Sequence, residues 1–297
     1  MNRVFGELMS ATTERLTPAR LRKPSLAEAA LHGGWSLFME SLKRYLASRR
    51  TLIMALLFTA PSAIIILART LTVRQDTNNL NWLHQGEWGV ILTFAPTALL
   101  SFAALLNAAG LIQDEIEEQT LTYLLLRPTP RWMIYLSKLL AATLATVVIA
   151  CVFHALAYFC LYTRTDYLGD VLRASLPSSM AALALATVAY SALFGLIGLL
   201  LKRSLVVGVV YIVFFEGILA SIPFNFRAYT VVYHFRVLAH YWVGVPADFW
   251  GLPTNPAALP TASSSITALL VSALVFAVFG ALYVQWKEFR MKTPAGT

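Results

Sequence analysis

Long apolar runs punctuate the chain, and in each of them Leu, Ala, Val and Phe occupy every face rather than one stripe or alternate positions. Runs near residues 52–68, 88–112, 132–162, 180–201 and 266–286 are of the length, about 18 residues, at which a helix rising ~1.5 Å per residue crosses ~30 Å of hydrocarbon. A sixth, near 205–222, qualifies with one acid, Glu216, inside it. A transmembrane β-barrel would need alternating segments of about ten residues. The pattern therefore predicts an all-α, polytopic membrane protein with six transmembrane helices, its transmembrane domain covering 51–290 behind a cytoplasmic tail at 1–25.

Three segments outside the runs carry their own pattern. Residues 26–50 place Trp35, Phe38, Met39, Leu42, Tyr45 and Leu46 on one stripe, with Glu40, Lys43, Arg44, Ser48 and Arg50 elsewhere. This predicts an amphipathic helix in the membrane interface, serving either as a basic anchor or as a lever moved by a cytoplasmic partner. At 114–131 the acids Asp114, Glu115, Glu117 and Glu118 precede Leu121, Leu124 and Leu125 at helical spacing, and Pro128 and Pro130 end the pattern. Acids suit the positive N-terminus of a short helix, and the leucines form an apolar knob that either enters a partner's groove or packs on this chain's own helices. The segment 223–265 is rich in Phe, Tyr and Trp and is then broken by Pro253, Pro256 and Pro260. Such a segment is expected as a long external loop with one or two short helices at the outer interface.

Composition agrees with a bilayer as second solvent. Hydrophobic residues make up 58% of the chain and charged residues 13%, whereas soluble domains run at about 25% charged. With the N-terminus in the cytoplasm, only Arg69, Arg74, Arg164, Arg173, Arg227 and Arg236 of the 23 Lys and Arg fall outside. The positive-inside rule thus predicts a multi-pass protein of the cell (inner or plasma) membrane with both termini cytoplasmic. The net charge of +8 follows from the same asymmetry and calls for no nucleic-acid partner. No signal-peptide pattern is expected ahead of the first run. Cys151 and Cys160 are nine positions apart on one predicted helix, on opposite faces, so they do not pair with each other.

Polar residues inside apolar runs are the candidate functional groups. A carboxylate in hydrocarbon survives when it faces a cavity, is paired or is protonated, so Glu216 either lines a gate or substrate path or makes a structural bond, with the outer loop, Arg227 or Arg236 as partners. Asn107 and His154 pose the same alternatives in weaker form. The small residues Ala103, Ala104 and Ala108 permit close helix approach, within the chain or across a dimer.

The segment QDEIEEQTLTYLLLRPTPRWMIYLSK between the second and third runs resembles the coupling-helix region of ABC-2 type transporter permeases. Glu118, Thr120, Leu121, Leu124, Leu125, Pro128 and Lys138 match that pattern, while Gln119 stands where the family commonly has Gly. The resemblance implies a permease dimer, a homodimer or a pair with a paralogue, with a translocation path between its chains. It further implies that each coupling segment, here Asp114, Glu115, Glu118, Thr120, Leu121, Leu124, Leu125, Pro128 and Arg131, docks on a separate nucleotide-binding ATPase subunit. Export of a hydrophobic or amphipathic substrate is the family-level expectation. The sequence has no G-x-x-x-x-G-K-[ST] loop, so no cofactor is expected in this chain, and ATP and Mg would be bound by the partner. An H-E-x-x-H motif and a G-x-S-x-G elbow are also missing, which argues against a membrane-embedded hydrolase. The competing reading is an ion-coupled secondary transporter or channel, which would ordinarily carry more than one intramembrane acid.

Overall fold

The computed structural model describes residues 26–71, 79–111, 130–221, 225–255 and 258–287. Among these residues every regular element is helical. Five helical stretches are long and apolar enough to cross a membrane, namely Arg49–Leu71, Leu80–Ala108, Arg131–Tyr162, Leu168–Leu200 and Ala262–Trp286.

The N-terminal helix α1 (Leu26–Leu46) lies along α6 (Arg131–Tyr162). Contact is close because Gly34 has no side chain, and a Cβ there would stand 2.9 Å from the Met133 sulfur. Leu37 is buried on this side, while Trp35, stacked on Phe38, stays 62% exposed. The expected apolar stripe is thus not buried: Trp35 and Leu46 on it are exposed, Phe38, Met39, Leu42 and Tyr45 are half-buried, and Leu37 lies off it. The first span begins where the Ser48 hydroxyl accepts the Thr51 amide, a cap that satisfies one orphan donor of α2 (Arg49–Phe58). It continues as α3 (Ala60–Leu71), with Pro61 in the first turn, where a missing N–H is harmless. Met54, Phe58, Pro61 and Ile65 face the protein, and Leu52, Ile53, Leu56, Ile64, Ile66 and Leu67 face outward.

The second span starts earlier than its apolar run, at α4 (Leu80–His84), and passes through wide π-type turns at Gln85–Leu100 that contain Pro96. It ends in α5 (Ser101–Ala108). The third, α6, has 32 residues and is about 48 Å long at ~1.5 Å per residue, so it outruns the ~30 Å hydrocarbon layer. After the short α7 (Leu168–Arg173), the central helix α8 (Ser175–Leu200) touches α5, α6, α10 (Val231–Val243) and α11 (Ala262–Trp286). Small residues make this possible: a Cβ on Gly198 would stand 2.2 Å from the Ala109 carbonyl oxygen. Ala103, Ala104 and Ala108 are likewise buried within the chain, so internal packing takes up the small-residue patch of the second span.

The expected run at 205–222 forms a shorter apolar helix, Ser204–Ile218. Its 8 α-helical residues, α9 (Ser204–Tyr211), are followed by 7 in π-type turns, Ile212–Ile218. At ~1.5 Å per residue the stretch Ser204–Ile218 reaches about 22 Å, and a 3-10 turn, Leu219–Ser221, carries it on. A run dense in Val and Ile has poor helix propensity, and Glu216 in its π-type turns bonds to the start of the helix that follows. In the segment expected as an interfacial loop, α10 (Val231–Val243) is packed between α8 and α11. Val232, Phe235, Val237 and Leu238 on it are fully buried. Among the described residues of this segment, the aromatics left exposed are Phe226 and Tyr229 just before it, Tyr241 on it and Phe249 after it.

Candidate functional site

Most of the predicted coupling segment, from Asp114, Glu115, Glu118, Thr120, Leu121, Leu124 and Leu125 to Pro128, lies outside the described residues. Arg131 is described: it opens α6, is exposed, and donates to the Lys287 carbonyl at 3.3 Å, which ties the start of α6 to the end of α11.

Glu216 is completely buried. Its two carboxylate oxygens accept the backbone amides of Val231 at 3.2 Å and Val232 at 3.0 Å, and the Tyr211 hydroxyl donates at 3.1 Å. These amides are orphan donors at the N-terminus of α10, where the helix dipole also favours an anion. The Thr230 hydroxyl accepts a third, from Tyr233. Arg236, one turn along α10, is buried and donates to the Ala220 carbonyl at 3.1 Å, just beyond the π-type turns that carry Glu216. Each strand of this hairpin thus caps the other, carboxylate on amides in one direction and guanidinium on carbonyl in the other. Burial draws the Arg236 pKa below its ordinary value, and the nearby Glu216 opposes that. Gly244, at φ 86°, ends α10 in the left-handed region.

Asn107 on α5 is buried and donates to the Thr146 hydroxyl on α6 at 2.8 Å, and Thr146 in turn donates to the Ala142 carbonyl. This is an interhelical tie. His154, also on α6, is buried with Nε2 3.0 Å from the Ser179 hydroxyl of α8. Among the described residues its Nδ1 has no partner. It lines a small pocket with Phe58, Pro61, Ile91, Phe153 and Leu183.

Sequence reasoning missed Glu87. This residue sits one position before the apolar run of the second span and reads as a loop acid, yet it is only 4% exposed. Its carboxylate accepts the hydroxyls of Tyr158 at 3.0 Å and Tyr162 at 2.5 Å, both from α6. Gly86 permits this approach, since a Cβ there would stand 2.7 Å from Leu161. The signal in the sequence is the spacing His154, Tyr158, Tyr162, one polar residue per turn on one ridge of α6. The His154 and Tyr158 rings lie 5.1 Å apart, so the histidine and the acid belong to one polar seam.

A family model described as ABC-2 family transporter protein matches residues 39–220, from late in α1 through the turns that carry Glu216. A search of the curated proteins finds no match. The matched stretch exceeds half of the 297 residues and contains Glu87, Asn107, His154 and Glu216. On this match, and with five helices long and apolar enough to span a bilayer, the chain is a multi-pass membrane protein that belongs to the ABC-2 family of transporter proteins.

Proposed function

We propose that this chain is the transmembrane permease subunit of an ATP-driven exporter of hydrophobic or amphipathic molecules. In this reading a separate nucleotide-binding subunit holds ATP and Mg. Two permease chains form the path, and 205–222 completes six spans with both termini in the cytoplasm of a cell-membrane protein. The observation that carries it is the family match in a sequence that has no phosphate-binding loop of its own.

Within this reading, Leu121, Leu124 and Leu125 enter a groove of the ATPase subunit, and α1, lying along α6 with Trp35 exposed, rests in the inner interface. Movement of α6 on nucleotide binding reaches the outer hairpin through α8, which touches both α6 and α10. Glu216 and Arg236 keep that hairpin a single gate element. Copurification tests the coupling: the triple substitution L121D/L124D/L125D is expected to lose a stoichiometric ATPase while keeping the chain in the membrane. An intact complex with that variant refutes the docking role.

One observation favours the ion-coupled carrier as second reading, because Glu87 and Glu216 are two buried acids where sequence reading had found one. Proteoliposomes of the chain alone, driven by a proton gradient, separate the two. Uptake without any ATPase supports the carrier, and its absence together with ATP-dependent transport by the complex supports the permease.

A further inference from the structure

Threonines inside the α-helices of this protein donate to a carbonyl three or four residues back, as Thr143 does to Leu139, Thr146 to Ala142 and Thr187 to Leu183. Thr93, in the wide turns of the second span, donates five residues back, to the Trp88 carbonyl at 2.6 Å. That carbonyl comes into reach because π-type winding pairs each residue with the fifth before it. A hydroxyl has one proton, so toward any other group Thr93 Oγ1 is an acceptor. The Trp250 indole N–H, which can only donate, fills that role at 2.7 Å.

Trp250 closes a 3-10 turn, Ala247–Trp250, in a segment, 245–252, that acts as a strap between the outer hairpin and the second span. Both ends of the strap are fixed to the hairpin side. His240 Nδ1 of α10 is 2.7 Å from the Val245 carbonyl oxygen, and Arg227 donates to the Gly251 carbonyl at 2.6 Å. Val245 and Leu252 are buried. The middle of the strap grips the second span, where the Phe249 ring meets Trp88 edge-on at 5.7 Å beside the Trp250 bond.

The gripped stretch carries opposing preferences. Pro96 has no N–H, and in an α-helix its ring crowds the carbonyl four residues back, so it favours the wide turns. The Thr97 hydroxyl is buried and has no partner among the described residues, a costly state. Tighter winding would supply its acceptor, the Thr93 carbonyl four residues back. We propose that this stretch is a two-state element, wide-turned or α-wound, and that the bond from Trp250 to Thr93 is the latch that holds the wide form. On α winding the Thr93 hydroxyl turns to the Gly89 carbonyl, Trp250 loses its acceptor, and the strap leaves the second span. The latch goes beyond the permease reading and does not rest on it.

The test uses the purified full chain in phosphatidylcholine nanodiscs, carrying a trifluoromethyl reporter on F94C in a C151A/C160A background and read by fluorine NMR. Phe94 is exposed, so the reporter displaces no packing, and two windings give two resonances. W250F, which keeps a ring but lacks the N–H, and T93V are each expected to raise the weaker resonance about fivefold relative to the stronger, the worth of one hydrogen bond. T93S, which keeps the hydroxyl, is expected to match the parent. T97V removes the group that favours the α form, so W250F/T97V is expected to reverse the rise seen in W250F. A merely structural role for Trp250 gives no such reversal. Unchanged spectra in W250F and T93V, or a T97V effect that adds to that of W250F, overturn the proposal. If W250F does not fold, T93V and T93V/T97V decide the matter from the other side of the bond. Neither ATP nor a partner enters the assay, so its failure leaves the permease reading standing.

Discussion

Replacing Glu216 by Ala removes the acceptor for two buried amides at the start of α10 and for the Tyr211 hydroxyl. Each orphaned buried donor costs about 1–3 kcal/mol, and loss of a helix cap is typically worth about 1 kcal/mol. These overlap, so we expect about 2–4 kcal/mol, or roughly 5–15 °C in an apparent midpoint at the 2–4 °C per kcal/mol of a large chain. Glu216→Gln keeps one acceptor oxygen and shape but loses the charge on the helix dipole, and falls between. Arg236→Met strands one carbonyl, that of Ala220, and costs about 1 kcal/mol. Tryptophan-fluorescence melting in nanodiscs gives the midpoint, and hydrogen exchange over residues 225–243 locates the loss, with Val231 and Val232 amides exchanging fastest. A Glu216→Ala midpoint within about 1 °C of the parent, the size of an ordinary surface change, refutes the reciprocal-capping account.

Gly198→Ala drives a methyl into the Ala109 backbone and is expected to cost about 1–3 kcal/mol, whereas Gly89→Ala meets nothing within 4 Å and is expected to stabilise by up to ~1 kcal/mol; paired melting curves check the order. Thr146→Val leaves the Asn107 amide nitrogen without its acceptor and is expected to lower stability by about 0.6 kcal/mol, the mean for interhelical bonds in bilayers. Asn107→Leu removes the donor together with a carbonyl oxygen that has no partner among the described residues and is expected to be milder. A larger loss in Asn107→Leu than in Thr146→Val would contradict this reading of the tie.

The long spans were legible because apolar residues on all faces need no tertiary information to be recognised. Their ends were less so, since the polar starts at Leu80 and Leu168 are helical without being hydrophobic. The run at 205–222 was legible as an apolar helix, while the bonds that tie it to residues 231, 232 and 236 come from far along the chain. The burial of α10 was invisible for a related reason. Aromatics at that density suit a water interface and a protein interior equally, and only α8 and α11 decide between them. Glu216 was identifiable because it interrupts an apolar run. Glu87 was not, because it stands at the run's edge and the tyrosines that hold it lie 71 and 75 residues later.

The account turns on this chain moving substrate with energy released in another polypeptide. Native mass spectrometry of the complex, extracted with mild detergent from its own membrane, tests that most directly. The expected mass is that of two permease chains plus nucleotide-hydrolysing subunits, falling to permease alone in L121D/L124D/L125D. A chain that emerges without such subunits, from membranes in which transport is active, contradicts it.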